Sequence, residues 1–462
     1  MDMKPLSNDC IAAIATPPGR GAIAIIRISG KAAIELAEMV FRGKTVLHDA
    51  AGYSVHFGRM VNLIGNVLDE GLATVFREPH SYTGENLVEL SCHGGPVIAR
   101  SILDAVRAAG ARQADPGEFT RRAFVNGKMD LSQAEAVADL IAASGERAQR
   151  CSVAQLRGKL GSRVGELRSE LLSLCALLEI DLDFSEERLE VISPSVISDR
   201  LQATDAKLAQ LEESFAVGRI YRDGISVALA GMPNAGKSSL FNALLKEDRA
   251  IVTPHPGTTR DTIEEAIDVD GVHVRLTDTA GMRDVPDAIE AEGVRRAKSS
   301  VRTADVVLLV VDVSSRLEAG RVIKIEESPK QKVIVALNKV DLIEDQAERE
   351  KLIGEFGADS ILTSCITGEG VHEVRRVLRQ AALDDEGLES EDLFVTSERH
   401  LRAIVSARES LANARAAIRS GKSYEFIAFD VREGASALAQ ITGEITSEEI
   451  LNTIFGTFCI GK

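Results

Sequence analysis

Tryptophan is absent from this chain, and aromatic residues make up only 4% of it. Long hydrophobic runs are also missing. The most apolar stretch, Val306 to Val313, is far too short to cross a bilayer and contains Asp312, so it reads as a buried strand. No apolar segment follows a basic cluster at the start, so no secretory signal is expected and a cytoplasmic location follows. Cysteine is sparse: Cys10, Cys92, Cys151, Cys175, Cys365 and Cys459 are scattered, with no Cys-x-x-Cys pair. That argues against a disulfide framework or zinc knuckle and for thiols in a reducing compartment. Basic residues number 54 against 70 acidic ones, a formal charge of -16. Such a balance argues against binding nucleic acid over the whole surface, although it leaves room for a local basic groove.

What is present is length and pattern. A chain of 462 residues exceeds one compact core and suggests about three domains. Residues 1–125 read as mixed α/β, with strands over Ala22 to Ser29, Tyr53 to Asn62, Val67 to Phe76 and Leu87 to Ser91. A helix is expected from Pro96 to Ala109, stopping at Gly110. From 126 to 222 the pattern turns helical. Val153, Leu156, Leu160, Val164, Leu167, Leu171, Leu174 and Leu178 step by three or four, which predicts one continuous apolar helix face. Gly158, Gly161 and Gly165 lower helix propensity along it. Residues 223–382 alternate strand and helix, the signature of a parallel sheet. The clear strands are Ile225 to Ala230, Val272 to Thr277, Val306 to Val311 and Lys332 to Leu337. An acidic linker at Leu383 to Asp392 precedes a second helical stretch, so 383–462 completes a helical domain split by the inserted α/β domain.

The chemistry concentrates in that insertion. Gly231-Met-Pro-Asn-Ala-Gly236-Lys237-Ser238 matches G-x-x-x-x-G-K-[ST] between a strand and a helix starting near Ser239. The glycines let backbone N–H groups close around phosphate oxygens, and the helix N-terminus adds favourable partial charge. Lys237 is expected on the β- and γ-phosphates and Ser238 on Mg2+. Asp278-Thr279-Ala280-Gly281 closes the next strand, its carboxylate near the Mg2+ shell and its glycine amide able to sense the γ-phosphate. Asn338-Lys339-Val340-Asp341 follows another strand. A carboxylate there accepts both guanine N1–H and N2–H2, donors that adenine does not present together, so GTP is selected over ATP. Ser364-Cys365-Ile366 stands where guanine-nucleotide domains often carry Ser-Ala-Lys, and it lacks the lysine that packs over the base.

Thr253, Pro254, His255, Pro256, Gly257, Thr258 and Thr259 lie between the first two motifs, and Thr259 is a candidate second Mg2+ ligand, expected to order only with the γ-phosphate present. Ras-like enzymes orient the attacking water with a glutamine after Asp-x-x-Gly, but here that position is Met282. Glu290, Arg283 and Asp284 are the replacements to consider. Asn234 either coordinates a monovalent cation beside the phosphates or stabilises the loop.

Thr16-Pro-Pro-Gly-Arg-Gly21, Arg27-Ile-Ser-Gly30, Ser81-Tyr-Thr-Gly-Glu85, His93-Gly-Gly-Pro96, Pro116-Gly-Glu-Phe119, Asp130-Leu-Ser-Gln-Ala-Glu135, Gly257-Thr-Thr-Arg-Asp261 and Cys459-Ile-Gly-Lys462 extend the pattern over the whole chain. With the phosphate loop, these blocks resemble the MnmE (TrmE) family of tRNA-modification GTPases. The resemblance implies a multidomain α/β protein: a folate-binding, dimerising domain over 1–125, helical parts over 126–222 and 383–462, and a Ras-like G domain over 223–382. It implies a homodimer that works with an FAD-containing partner of the MnmG (GidA) type, the FAD residing on that partner. The pair adds aminomethyl or carboxymethylaminomethyl groups at C5 of wobble uridine in tRNA, with a formyl- or methylene-tetrahydrofolate donor. Membranes and DNA are not implied as partners.

Residue by residue, the resemblance puts K+ on Asn234, Thr253, His255 and Thr258, and Mg2+ on Ser238 and Thr259. It makes Glu290 catalytic through a bridging water, beside Lys237. GTP contacts are implied for Asn234 to Ser239 (Asn234, Ala235, Gly236, Lys237, Ser238, Ser239), Thr253 to Thr259, Asp278 to Gly281, Asn338, Lys339, Asp341 and Ser364. Folate contacts fall on Arg27, Glu89, Lys128 and Lys462, and Cys459 is a possible functional thiol. The rival expectation is a ribosome-assembly GTPase, which shares the G motifs but needs neither the N-terminal block nor Cys-x-Gly-Lys.

Overall fold

The computed structural model describes residues 9–143, 145–183, 193–246, 264–269, 271–278, 302–314, 331–357, 359–382 and 393–462. The chain forms two compact units. One gathers residues 1–141, 154–208 and 402–462; the other gathers 142–153 and 209–401.

In the first unit the strands are β1 (Ile11–Ile14), β2 (Ile23–Ser29), β3 (Phe41–Gly43), β4 (Ser54–Val61), β5 (Val67–Phe76), β6 (Leu87–His93) and β7 (Arg112–Gln113). They form one sheet in the order β3-β4-β5-β6-β2-β1-β7, antiparallel except for the β1–β7 pair. Period-two alternation sets the faces. Ala24, Ile26 and Ile28 of β2 point into a core shared with α1 (Ala33–Val40) and α2 (Pro96–Ala108). Arg27, between them, therefore stands on the opposite face, directly across from Glu89 of β6. α2 starts on Pro96 and ends before Gly110, whose φ of +125 stops the helix as its sequence predicts.

α3 (Glu118–Val125) is fixed by Arg122, a guanidinium only 2% exposed that donates to Asp9, Glu85 and Glu118. α4 (Leu131–Ala142), α5 (Glu146–Leu156) and α6 (Lys159–Asp183) follow. The apolar stripe read from Val153 to Leu178 as one continuous helix face is in fact divided between α5 and α6. Gly158, with φ +78, takes a conformation that L side chains resist, and Gln133 Nε2 caps the freed carbonyl of Leu156 at 2.9 Å. Gly161 and Gly165 stay inside α6. Leu160, Val164, Leu167, Leu171, Leu174 and Leu178 are buried along it. After α7 (Pro194–Asp223) and the second unit, the chain ends in α11 (Glu398–Arg419), α12 (Tyr424–Thr442) and α13 (Glu448–Gly456). α6 packs along α12, where Cys175 Sγ lies 3.7 Å from the Ala428 carbonyl, while Gly434 of α12 faces Ala407, Ser410 and Leu411 of α11.

The second unit holds β8 (Ile225–Ala230), β9 (Glu264–Val269), β10 (Val272–Asp278), β11 (Val306–Asp312), β12 (Lys332–Asn338) and β13 (Ile361–Thr363). Their order is β13-β12-β11-β8-β10-β9, parallel except for the β9–β10 hairpin. α8 (Lys237–Lys246), α9 (Gln346–Phe356) and α10 (Val371–Ala382) belong to the same unit. Gly224, with φ +72, turns the end of α7 straight into β8. The returning segment runs beside the departing one: Ser214 Oγ accepts from Val395 N at 3.1 Å, and Tyr221 meets Phe394 edge-on at 5.4 Å.

Candidate functional site

The strands of a parallel sheet end in loops on one edge, and this one collects the motif residues there. β8 runs into Gly231, Asn234 and Gly236, all with positive φ, before α8 opens on Lys237. A Cβ at Gly231 would strike the carbonyl of Val310, and one at Gly236 would strike Nδ2 of Asn338. The loop is thus drawn against its neighbours more closely than any side chain allows. Lys237 is buried, and its Nζ donates to the carbonyls of Gly231 (3.0 Å) and Met232 (2.9 Å). Ala235 is buried, while Asn234, Ser238 and Ser239 are exposed at the mouth.

Asn338, buried at the end of β12, donates from Nδ2 to the carbonyl of Ala235 at 2.9 Å. The base motif and phosphate loop are therefore directly bonded. Lys339 adopts φ +70, and its Nζ pairs with Asp312 Oδ2 at 2.5 Å. Asp312 also accepts from Ser314 N and Oγ. Burial pushes this carboxyl up, but Lys339 and Ser314 outweigh it and hold Asp312 below the usual carboxylate range. Sequence reasoning passed over Asp312 as a site residue; an acidic residue closing an otherwise apolar strand was the available signal. Ser364 Oγ donates to Asp341 Oδ1 at 2.6 Å and accepts from Ile366 N and Thr367 N, so it braces that carboxylate. Cys365 Sγ lies 3.4 Å from Asn338 Oδ1, and burial raises its thiol pKa. Ile366 is 86% exposed.

Asp278 ends β10 with its backbone paired to Leu229 of β8. Thr253, Pro254, His255, Pro256, Gly257, Thr258, Thr259, Thr279, Ala280, Gly281, Met282, Arg283, Asp284 and Glu290 lie outside the described residues.

A second cluster stands on the first unit's sheet. Arg27 donates from Nε and Nη2 to Glu89 Oε1 at 2.9 and 2.8 Å, and from Nη1 to Gly461 O at 3.3 Å. Its guanidinium lies over the rings of Tyr82 and Phe119, 5.4 and 5.6 Å from their centroids. Phe119 N donates to Lys462 O at 3.2 Å. Gly461 has φ +101, and a Cβ there would lie 2.5 Å from the carbonyl of Ile14. Lys462 is partly buried. Burial and the like charge of Arg27 pull its ammonium below the usual range, against Glu89 and Cys459. The fold thus brings together Arg27, Glu89 and Lys462. Lys128 is exposed on another segment and donates to Pro79 O at 3.0 Å. Cys459 is exposed and unbridged. Among the described residues no helix is long and apolar enough to cross a membrane.

A parallel sheet whose edge bonds a G-x-x-x-x-G-K-S loop to Asn338, beside Asp341 and Ser364, defines a guanine-nucleotide hydrolase of the P-loop class. Residues 10–128 match the N-terminus of the GTP-binding protein TrmE, and residues 131–459 match the MnmE helical domain. The tRNA modification GTPase MnmE of Chlorobaculum tepidum is 42% identical over 99% of this chain and 98% of its own. That of Chlorobium luteolum is 43% identical over 98% of this chain and 97% of its own. The chain belongs to the MnmE family and is a GTPase.

Proposed function

We propose that this GTPase acts in tRNA modification, at C5 of wobble uridine, together with an FAD-bearing protein of the MnmG type. The observation that supports this reading is the Arg27–Glu89–Lys462 cluster in a chain that also holds a guanine-nucleotide site. Arg27 and Lys462 supply donors and positive charge, Glu89 supplies an acceptor, and Tyr82 and Phe119 supply aromatic faces. That donor set fits a fused aminopyrimidinone ring with an anionic tail, the chemistry of a reduced folate. The folate would supply the one-carbon unit; Glu89 and Arg27 would hold its ring, and Lys462, with Lys128, its carboxylates.

At the G site, Lys237 and the loop amides bind the phosphates, and Ser238 and Thr259 offer the hard oxygens that Mg2+ requires. Asn234, exposed at φ +65 in the loop, supplies an oxygen for K+ with Thr253, His255 and Thr258. Glu290 orients the attacking water. The folate and dimer role belongs to 1–125, the helical parts to 126–222 and 383–462, and hydrolysis to 223–382. The protein works as a cytoplasmic homodimer.

Mass spectrometry of tRNA nucleosides from a strain lacking the chain, with a complemented control, tests the reading. Loss of C5-aminomethyl-type uridines, restored by the intact gene but not by one lacking Lys462, is the expected result. Unchanged nucleosides would remove the tRNA role and favour ribosome assembly, which co-sedimentation with ribosomal subunits would then report.

A further inference from the structure

Two loops meet at the base pocket: 338–343, which carries Asp341, and 364–369, which carries Ser364. Their joint on the pocket side is the Ser364–Asp341 hydrogen bond. A second joint lies behind them. Arg349 sits in the first turns of α9, where helical side chains lean toward the N-terminus. Its guanidinium reaches back past the cap at Asp345, which accepts from Ala347 N. Nη2 donates to Val340 O at 2.8 Å and Nε to Ile343 O at 3.0 Å. Those carbonyls flank Asp341 on either side. Nη1 pairs with Glu369 Oε1 at 3.0 Å, and the Glu369 carbonyl accepts from Ser364 N at 2.9 Å. The Arg349 side chain is 21% exposed and that of Glu369 43%, so the bonds to the Val340 and Ile343 carbonyls are the shielded part of this joint.

We propose that Arg349 is a positioning residue for guanine recognition: one guanidinium fixes both loops so that the Asp341 carboxylate faces the N1–H and N2–H2 donors of the base. The inference rests on Asp341 being the guanine acceptor. A planar fork with five donors suits this task, because it holds two carbonyls and a carboxylate in one plane, whereas a lysine ammonium is a point charge on a flexible stem. Releasing the fork leaves the Asp341 carboxylate with its Ser364 bond and its segment with the turn bonds Leu342 N to Lys339 O and Ile343 N to Val340 O. Guanine loses two contacts when that carboxylate turns away; hypoxanthine, lacking the N2 amino group, has one to lose. Preference for guanine over hypoxanthine nucleotides therefore reports the orientation of Asp341 specifically. The phosphate loop is bonded through Asn338 and not through Arg349, so turnover at saturating GTP stays as it is.

The test uses the full chain. Dissociation of N-methylanthraniloyl-GDP is followed by chasing with unlabelled GDP, and GDP and IDP are compared as competitors. Arg349→Ala is expected to release nucleotide about tenfold faster and to lower the GDP-over-IDP preference about tenfold, from the loss of several hydrogen bonds of ordinary strength. KM for GTP rises while kcat is kept. Arg349→Lys remains impaired in both binding readouts, since a single ammonium on a flexible stem cannot reach the Val340 and Ile343 carbonyls and the Glu369 carboxylate together. Glu369→Gln, which keeps the helix and the fork, gives a smaller change in the same direction and decides the matter if Arg349→Ala does not fold.

A merely structural role for Arg349 would lower thermal stability and leave the preference of the folded fraction unchanged; that result overturns the proposal. Asp341→Ala separates the two layers of the argument. If Asp341→Ala abolishes the preference while the Arg349 and Glu369 variants keep it, the positioning role alone is wrong. If Asp341→Ala keeps the preference, the base-pocket reading falls and this inference with it.

Discussion

Nδ2 of Asn338 and the carbonyl oxygen of Ala235 are 2.9 Å apart, and both residues are buried. A residue of the base motif thus carries part of the phosphate loop, while its own Oδ1 lies near Cys365 Sγ and Thr363 Oγ1. Removing this amide leaves the Ala235 carbonyl without that donor in a buried setting. The expected cost of such a loss is about 1–3 kcal/mol. Asn338→Ala should therefore weaken binding of GDP and of ADP-size competitors alike, because the phosphate loop itself relaxes. Isothermal titration with GDP checks this; wild-type affinity would remove Asn338 from the loop's support.

Asp312 and Lys339 make a prediction with a definite sign in pH. The folded-state pKa of Asp312 is depressed, so its contribution to stability is present above the ordinary carboxylate pKa and is lost as pH falls through the lower folded value. Asp312→Asn should be less stable than wild type near neutrality, and the gap should close as pH falls through and below the ordinary carboxylate range. Paired thermal melts across that range isolate this group from the other carboxylates. A gap that is constant with pH would show that the ion pair contributes nothing to folding.

Gly461 tests how tightly the last residues are held. Its φ of +101 and the nearness of Ile14 O make any side chain there strained, by about 1–3 kcal/mol. Gly461→Ala should displace Lys462 from the Arg27–Glu89 pair. GTPase activity should persist in that variant while the C5-modified uridines fall, measured on the same strain and protein. Normal nucleosides would separate the tail from the modification chemistry.

Hydrolysis should depend on K+ and on Glu290. Rates in matched KCl and NaCl are expected to differ severalfold or more, as a fixed positive charge near the γ-phosphate acts like an arginine finger, an effect of roughly 10³–10⁵ at full strength. Glu290→Ala should lose turnover and keep GTP binding. Equal rates in the two salts would end the K+ assignment; persistent hydrolysis in the variant would end that of Glu290.

Much of this was legible in the residues. The phosphate loop could be read because its glycines sit where backbone conformation demands them, and Gly231 and Gly236 do take positive φ. Strands β8, β11 and β12 were visible as apolar runs because parallel strands are covered on both faces, and β10 as an alternation in which Val272, Val274 and Leu276 face the core. Other elements gave no such signal. β1 and β7 are too short, and β9 (EEAIDV) is an acidic edge strand. The break at Gly158 was hidden because the three-and-four spacing of apolar residues passes through it unchanged. Arg27 and Glu89 are partners by strand register, and the arrival of Lys462 beside them is a tertiary fact that no local spacing encodes. Asp312 and Arg349 act through neighbours, so their roles surface only in three dimensions.

The paired segments at Ser214–Tyr221 and Phe394–Val395 have an architectural consequence. The polypeptide leaves for the nucleotide-binding sheet and comes back at the same spot, a Cβ at Gly218 being barred by the carbonyl of Val395. The segments that enter and leave that sheet are therefore pinned side by side. Cutting the chain at these two points leaves ends within hydrogen-bonding distance of one another, which a very short graft can rejoin.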